Sequence, residues 1–136
     1  MNQRIGVTAA ATLALLAMSM DTLAVPPYGA TPAEIAAMPE ACQVKLDPNL
    51  RKNEALQAAW RTKIGSNIWT HLHHYCHGLK SMSRASLTTD RSGRRFFLGQ
   101  AKKEFNYVLE RWPKDSPMFE EAMSKKDEVR MLEMKR

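Results

Sequence analysis

The chain has 136 residues, carries a net charge of +6 and contains two cysteines. That length is enough for one domain with one modest core. A basic balance points to acidic partners such as anionic lipid heads, acidic proteins or polysaccharides.

The first element is a leader. Arg4 supplies one positive charge, and a short, mostly apolar run follows from Ile5 to Met20. It falls short of the roughly 20 strongly apolar residues that span a bilayer. Thr22-Leu23-Ala24 then offers small or modest side chains before Val25-Pro26-Pro27. The pattern reads as a secretory signal cut after Ala24, with an uncut anchor as the alternative. Cleavage leaves about 112 residues, in a periplasmic or secreted setting where nucleic acid is not an expected partner, and no integral membrane segment.

Residues 25–30 contain Pro26, Pro27 and Gly29 and are expected to be an extended leader. The helical domain is placed at 31–115. Thr31-Pro32-Ala33-Glu34 reads as a capping box with proline at the first helical position. Pro39 breaks that short helix, and Pro39–Val44 forms a further turn presenting Cys42. A loop covers Lys45–Arg51, and a helix covers Asn53–Ile64 with Leu56, Trp60 and Ile64 at four-residue spacing.

The next helix, about Asn67–Arg84, carries Ile68, Leu72, Tyr75, Leu79 and Met82 at steps of four and three. That spacing makes one apolar stripe. Cys76 lies on its flank with Trp69. Ala85–Arg95 is polar and is expected to be a loop. A helix over Arg94–Arg111 repeats the rhythm with Leu98, Ala101, Phe105, Val108 and Trp112. Ser116-Pro117 opens a last helix, 116–136, expected to be solvated or partly frayed at its end. No strand pattern appears. The expected fold is all-α, antiparallel helical hairpins with four to five helices and one disulfide.

Cys42 and Cys76 have only each other as internal partners, so an exported chain points to their pairing. Free buried thiols or a shared metal site are the alternatives. There is no Cys-x-x-Cys and no Cys-x-x-Cys-His, so neither thioredoxin-like chemistry nor c-type haem attachment is indicated.

All four histidines, His71, His73, His74 and His77, fall within seven residues. His73 and His77 at i,i+4 can face one site about 6 Å apart, a spacing that suits copper or zinc. No His-Glu-x-x-His accompanies them, and a bare pair is commonly packing or hydrogen bonding. The serines lack an elbow motif. Glu104 and Glu110 read as surface partners of neighbouring lysines and arginines. The basic run Arg91, Arg94, Arg95, Lys102 and Lys103 reads as a solvated helix start. No catalytic residue is expected, and the chain does not read as an enzyme.

Ala101-x3-Phe105-x2-Val108-x4-Pro113 resembles the second helix of a tetratricopeptide repeat, and Gly78-Leu79 resembles the glycine region of its first helix. His74 stands where an aromatic residue is expected, and the loop read over 85–95 exceeds the family's by about 10 residues. The stretch His71–Leu79, with Glu104–Leu109, also resembles exported repeat proteins of proteobacteria. The resemblance implies a scaffold that binds peptides or partner subunits in a helical groove, here an envelope protein, without cofactor. A small periplasmic metal-binding protein using the histidine helix is the alternative.

Overall fold

The computed structural model describes residues 28–135. The signal segment and its cut at Ala24 lie outside the described residues. Six α-helices and one 3-10 turn follow in order: α1 Pro32–Ala36, α2 Glu40–Leu46, the turn Leu50–Lys52, α3 Glu54–Ile64, α4 Ser66–Leu87, α5 Arg91–Leu109 and α6 Pro117–Met134. Among the described residues there is no strand and no helix long and apolar enough to cross a membrane.

Local chemistry sets the helix starts. The Thr31 hydroxyl accepts from the Glu34 amide while the Glu34 carboxylate accepts from the Thr31 amide, the reciprocal pair of a capping box. Asn53, Asp90 and Ser116 each accept an amide two or three positions inside α3, α5 and α6. Gly65 joins α3 to α4 at φ 92°, a left-handed value that a side chain would strain.

The expected loop over 85–95 is absent. Helix α4 runs on to Leu87, and α5 begins at Arg91, leaving only Thr88, Thr89 and Asp90 between them. The Asp90 carboxylate takes the Gly93 amide at 2.6 Å and so fixes the start of α5. Ser86, Leu87, Arg91 and Ser92 lie exposed on either side of the turn, and a mostly polar stretch without an apolar period resembles a loop. Where a turn was expected over 39–44 there is a helix, α2, which runs Glu40–Leu46 and raises the count among the described residues above the four to five expected.

The core lies between α4 and α5, closed by α2 and α6. Leu72, Tyr75, Cys76, Ala101, Phe105 and Val108 are sealed from solvent, as are Ala122 and Val129 of α6. Cys42 and Cys76 stand at disulfide distance, with Cα atoms 5.5 Å apart, and hold α2 against α4. Lys45 of α2 lies over the Trp69 ring at 4.6 Å, beside that join. Helix α6 is apolar at Val129 and ends with Met131 and Met134 exposed.

Candidate functional site

Three charged side chains are buried on α4 and α5. Lys80 is 3%, Arg84 7% and Glu104 8% exposed. A buried charge is costly unless it is paired and hydrogen-bonded. The partners here come from the segment that precedes α1.

Residues 28–30 have no helix or strand, yet they are tied along α4 like a strap. The Lys80 ammonium donates to the Tyr28 carbonyl, and Arg84 Nη2 donates to the Gly29 carbonyl at 3.0 Å. The Tyr28 hydroxyl donates to Glu104 Oε1. The Tyr28 ring packs on His77 with centroids 4.9 Å apart, and the Lys80 ammonium sits 4.5 Å from the centre of the same ring. One turn on, Arg84 Nε and Nη2 grip both oxygens of Glu34 at 2.6 and 2.9 Å, which ties α1 to α4. The strap is thus held by two main-chain carbonyls and one aromatic side chain.

The histidines divide among different partners. His74 Nδ1 is 2.7 Å from Glu104 Oε2, and its ring stacks on Tyr107 at 3.6 Å. His71 meets the edge of the Tyr107 ring at 5.6 Å. His77 faces Tyr28 and lies 3.3 Å from the Lys80 ammonium. His73 lies beside His74, with ring centroids 4.2 Å apart. Among the described residues, no three His, Cys, Asp or Glu side chains come together as a metal site.

Glu104 is therefore no surface partner of its neighbours on α5, as its place among lysines suggested. It is the buried acceptor shared by Tyr28 and His74. Lys80 and Arg84 were missed in the sequence for the same reason. A signal was present: Cys76, Lys80 and Arg84 form an i,i+4 row, so the flank that buries Cys76 also turns two charges toward whatever covers it.

Next to the strap is an open cleft of about 290 Å³ between α1, α4 and α6. Met38, Leu79 and Tyr75 give it an apolar wall, while Glu34, Lys80 and Glu121 set polar atoms along it. The buried Tyr75 hydroxyl donates to Glu121, and burial together with that carboxylate pushes the phenol well above its usual range.

The electrostatics of the strap predict a pH response. Burial, with Lys80 close by, holds His77 down to about 4. Between about 4 and the ordinary 6.5 the unfolded chain binds a proton there that the folded chain refuses, so stability falls as pH drops through this window. His71 and His73 are lowered chiefly by burial and act in the same direction. The Arg84 hydrogen bonds hold Glu34 at about 2, so its contribution is present above 4.5 and is lost as pH falls toward 2. Burial and Glu104 push Tyr28 up to about 12, so the contribution of its protonated hydroxyl is lost between 10 and 12. Urea midpoints measured from pH 7 to pH 4 should decline, and His77→Gln should flatten the slope. An identical slope in the variant would remove His77 from this account.

No protein-family description, no curated protein and no solved structure matches the chain.

Proposed function

We propose that this chain is an exported helical interaction module that binds an extended segment of a protein partner in the cell envelope. The observation that carries the reading is the strap. Helix α4 already holds a segment without regular structure, using Lys80 and Arg84 to grip that segment's main-chain carbonyls, with one aromatic side chain for register. Backbone recognition of this kind accepts many sequences, and the side-chain contact selects among them. The cleft beside the strap offers room for a longer segment on the same face.

The tetratricopeptide-like reading of α4 and α5 has support of its own. His71 meets Tyr107, His74 meets Glu104 and Gly78 meets Phe105, so the two helices lie side by side over more than one turn. The three-residue turn between the helices suits such a hairpin, and glycine against an aromatic ring is the close approach that the repeat uses. Export itself rests on residues 1–24, and the periplasm or the exterior is the proposed location.

The test is competition. Immobilised protein should capture a partner from envelope extract, and a synthetic peptide of residues 25–32 should displace it. Tyr28→Ala, which loosens the strap, should capture more. A blank with a folded protein, or capture indifferent to the peptide, would sink the reading.

A metal-binding function at His73 and His77 is the second reading. Burial keeps His77 unprotonated to about pH 4, and the neutral ring is the form that ligates a metal. Zinc or copper affinity in the micromolar range or weaker, unchanged by His73→Ala and His77→Ala, would end it.

A further inference from the structure

We infer that the end of the bundle where α4 turns into α5 docks on an anionic lipid surface. The turn between the two helices, the first residues of α5 and the last turn of α6 enclose an open cleft of about 490 Å³. Its floor is apolar, formed by Leu98 and Leu132. Its rim is cationic, with Arg91, Arg94, Arg95 and Lys135.

The nearby carboxylates are already engaged. Glu133 accepts from Lys102 at 3.2 Å, and Asp90 is turned inward onto the Gly93 amide. Because Asp90 caps α5, the attraction for anions comes from the arginine side chains and not from the bare helix end. None of the three arginines forms an ion pair among the described residues.

Charge alone would fit any acidic partner. The second observation selects a bilayer. Leu87 is 80% and Phe96 52% exposed, and Met131 and Met134 are also more than half exposed. Leu87 adjoins the turn, Phe96 follows Arg95, and the two methionines flank Leu132 and Glu133. Of the seven large apolar side chains left exposed among the described residues, four therefore belong to this one end. Single exposed apolar groups need no explanation, but four at one cationic end of the bundle do. An anionic bilayer satisfies both sets of groups at once. Apolar side chains enter the acyl boundary, and arginines lay their stems on apolar surface while the guanidinium pairs with lipid phosphate. The inference does not depend on the strap, which lies on other residues.

Flotation of the purified chain with lipid vesicles tests it. Binding is expected to vesicles containing phosphatidylglycerol, not to pure phosphatidylcholine, and should weaken with salt. Each arginine near such a surface is worth about fivefold in affinity, so Arg91→Gln, Arg94→Gln and Arg95→Gln together should cost about a hundredfold. Leu87→Ser with Phe96→Ser should cost at least about tenfold. All five side chains are on or near the surface, and an unchanged circular dichroism spectrum would show the fold intact. Equal binding to both vesicle types, no loss in the Leu87 and Phe96 variant, or polyglutamate bound as tightly with the same arginine dependence would each overturn the inference. The last of these would assign the cleft to an acidic protein instead.

Discussion

Replacing Cys42 and Cys76 together with alanine is expected to lower the unfolding free energy by about 3–4 kcal/mol. The residues lie 34 positions apart, and a cross-link closing a loop of that length removes about that much entropy from the unfolded chain in the chain-entropy account. A domain of this size unfolds with a total of about 5–15 kcal/mol, so the loss is a large share. The melting midpoint should fall by about 12–30 °C. Reductant added to the wild-type chain should reproduce the shift. The urea m-value should rise, because the freed unfolded chain exposes more surface. The native spectrum should stay helical, since Met38 and Val44 remain packed in the same core as Trp69 and Leu72. A midpoint that moves by less than about 3 °C would mean that the cross-link adds little beyond the packing it spans.

The pairing was legible because two cysteines in a chain read as exported leave one internal choice. The helices were legible where one face is apolar and the other wet. Leu98, Ala101, Phe105, Val108 and Trp112 recur at helical spacing and are all buried. On α4 the stripe held at Ile68, Leu72 and Tyr75, while Leu79 and Met82 are only partly covered. Periodicity says which way a side chain points. It does not say how much of the neighbouring element reaches it.

The candidate site was much less legible, for a physical reason. Lys80, Arg84 and Glu104 are charged, and charge on an amphipathic helix normally marks the solvated face. Here the partners on the strap and α1 lie 50 to 76 positions away in sequence, and His74, which Glu104 also meets, lies 30 away on α4. Such pairing leaves no local period. In the sequence, Pro26, Pro27 and Gly29 signal the absence of regular structure over 25–30 and say nothing about docking. The misread loop at 85–95 has the same origin. Asp90 carried a capping signal, but a cap is read with confidence only when an apolar run follows within a turn, and Phe97 and Leu98 come later.

Phe105→Ala is expected to cost about 3–5 kcal/mol, the range for emptying a fully buried aromatic site. The ring fills the space that Gly78 leaves open on the facing helix. A Cβ built on Gly78 would stand 2.6 Å from one ring carbon of Phe105 and 2.8 Å from the next. Those atoms belong to a sealed ring and not to a flexible tip, so the ring or the helix must move. Gly78→Ala therefore combines two opposed effects. Overpacking costs about 1–3 kcal/mol, and replacing glycine inside a helix recovers about 1 kcal/mol. The net is small to moderate destabilisation, and its sign alone does not isolate the contact. The pair does. Phe105→Leu should relieve the clash, so that Gly78→Ala becomes neutral or stabilising in that background, a coupling of at least about 0.5 kcal/mol. Urea unfolding of the four chains measures it. Strict additivity would mean that α4 and α5 are not in close contact at Gly78. It would also remove the feature on which the tetratricopeptide-like reading leans most, because a small residue admitting an aromatic ring is the reason for glycine in that place.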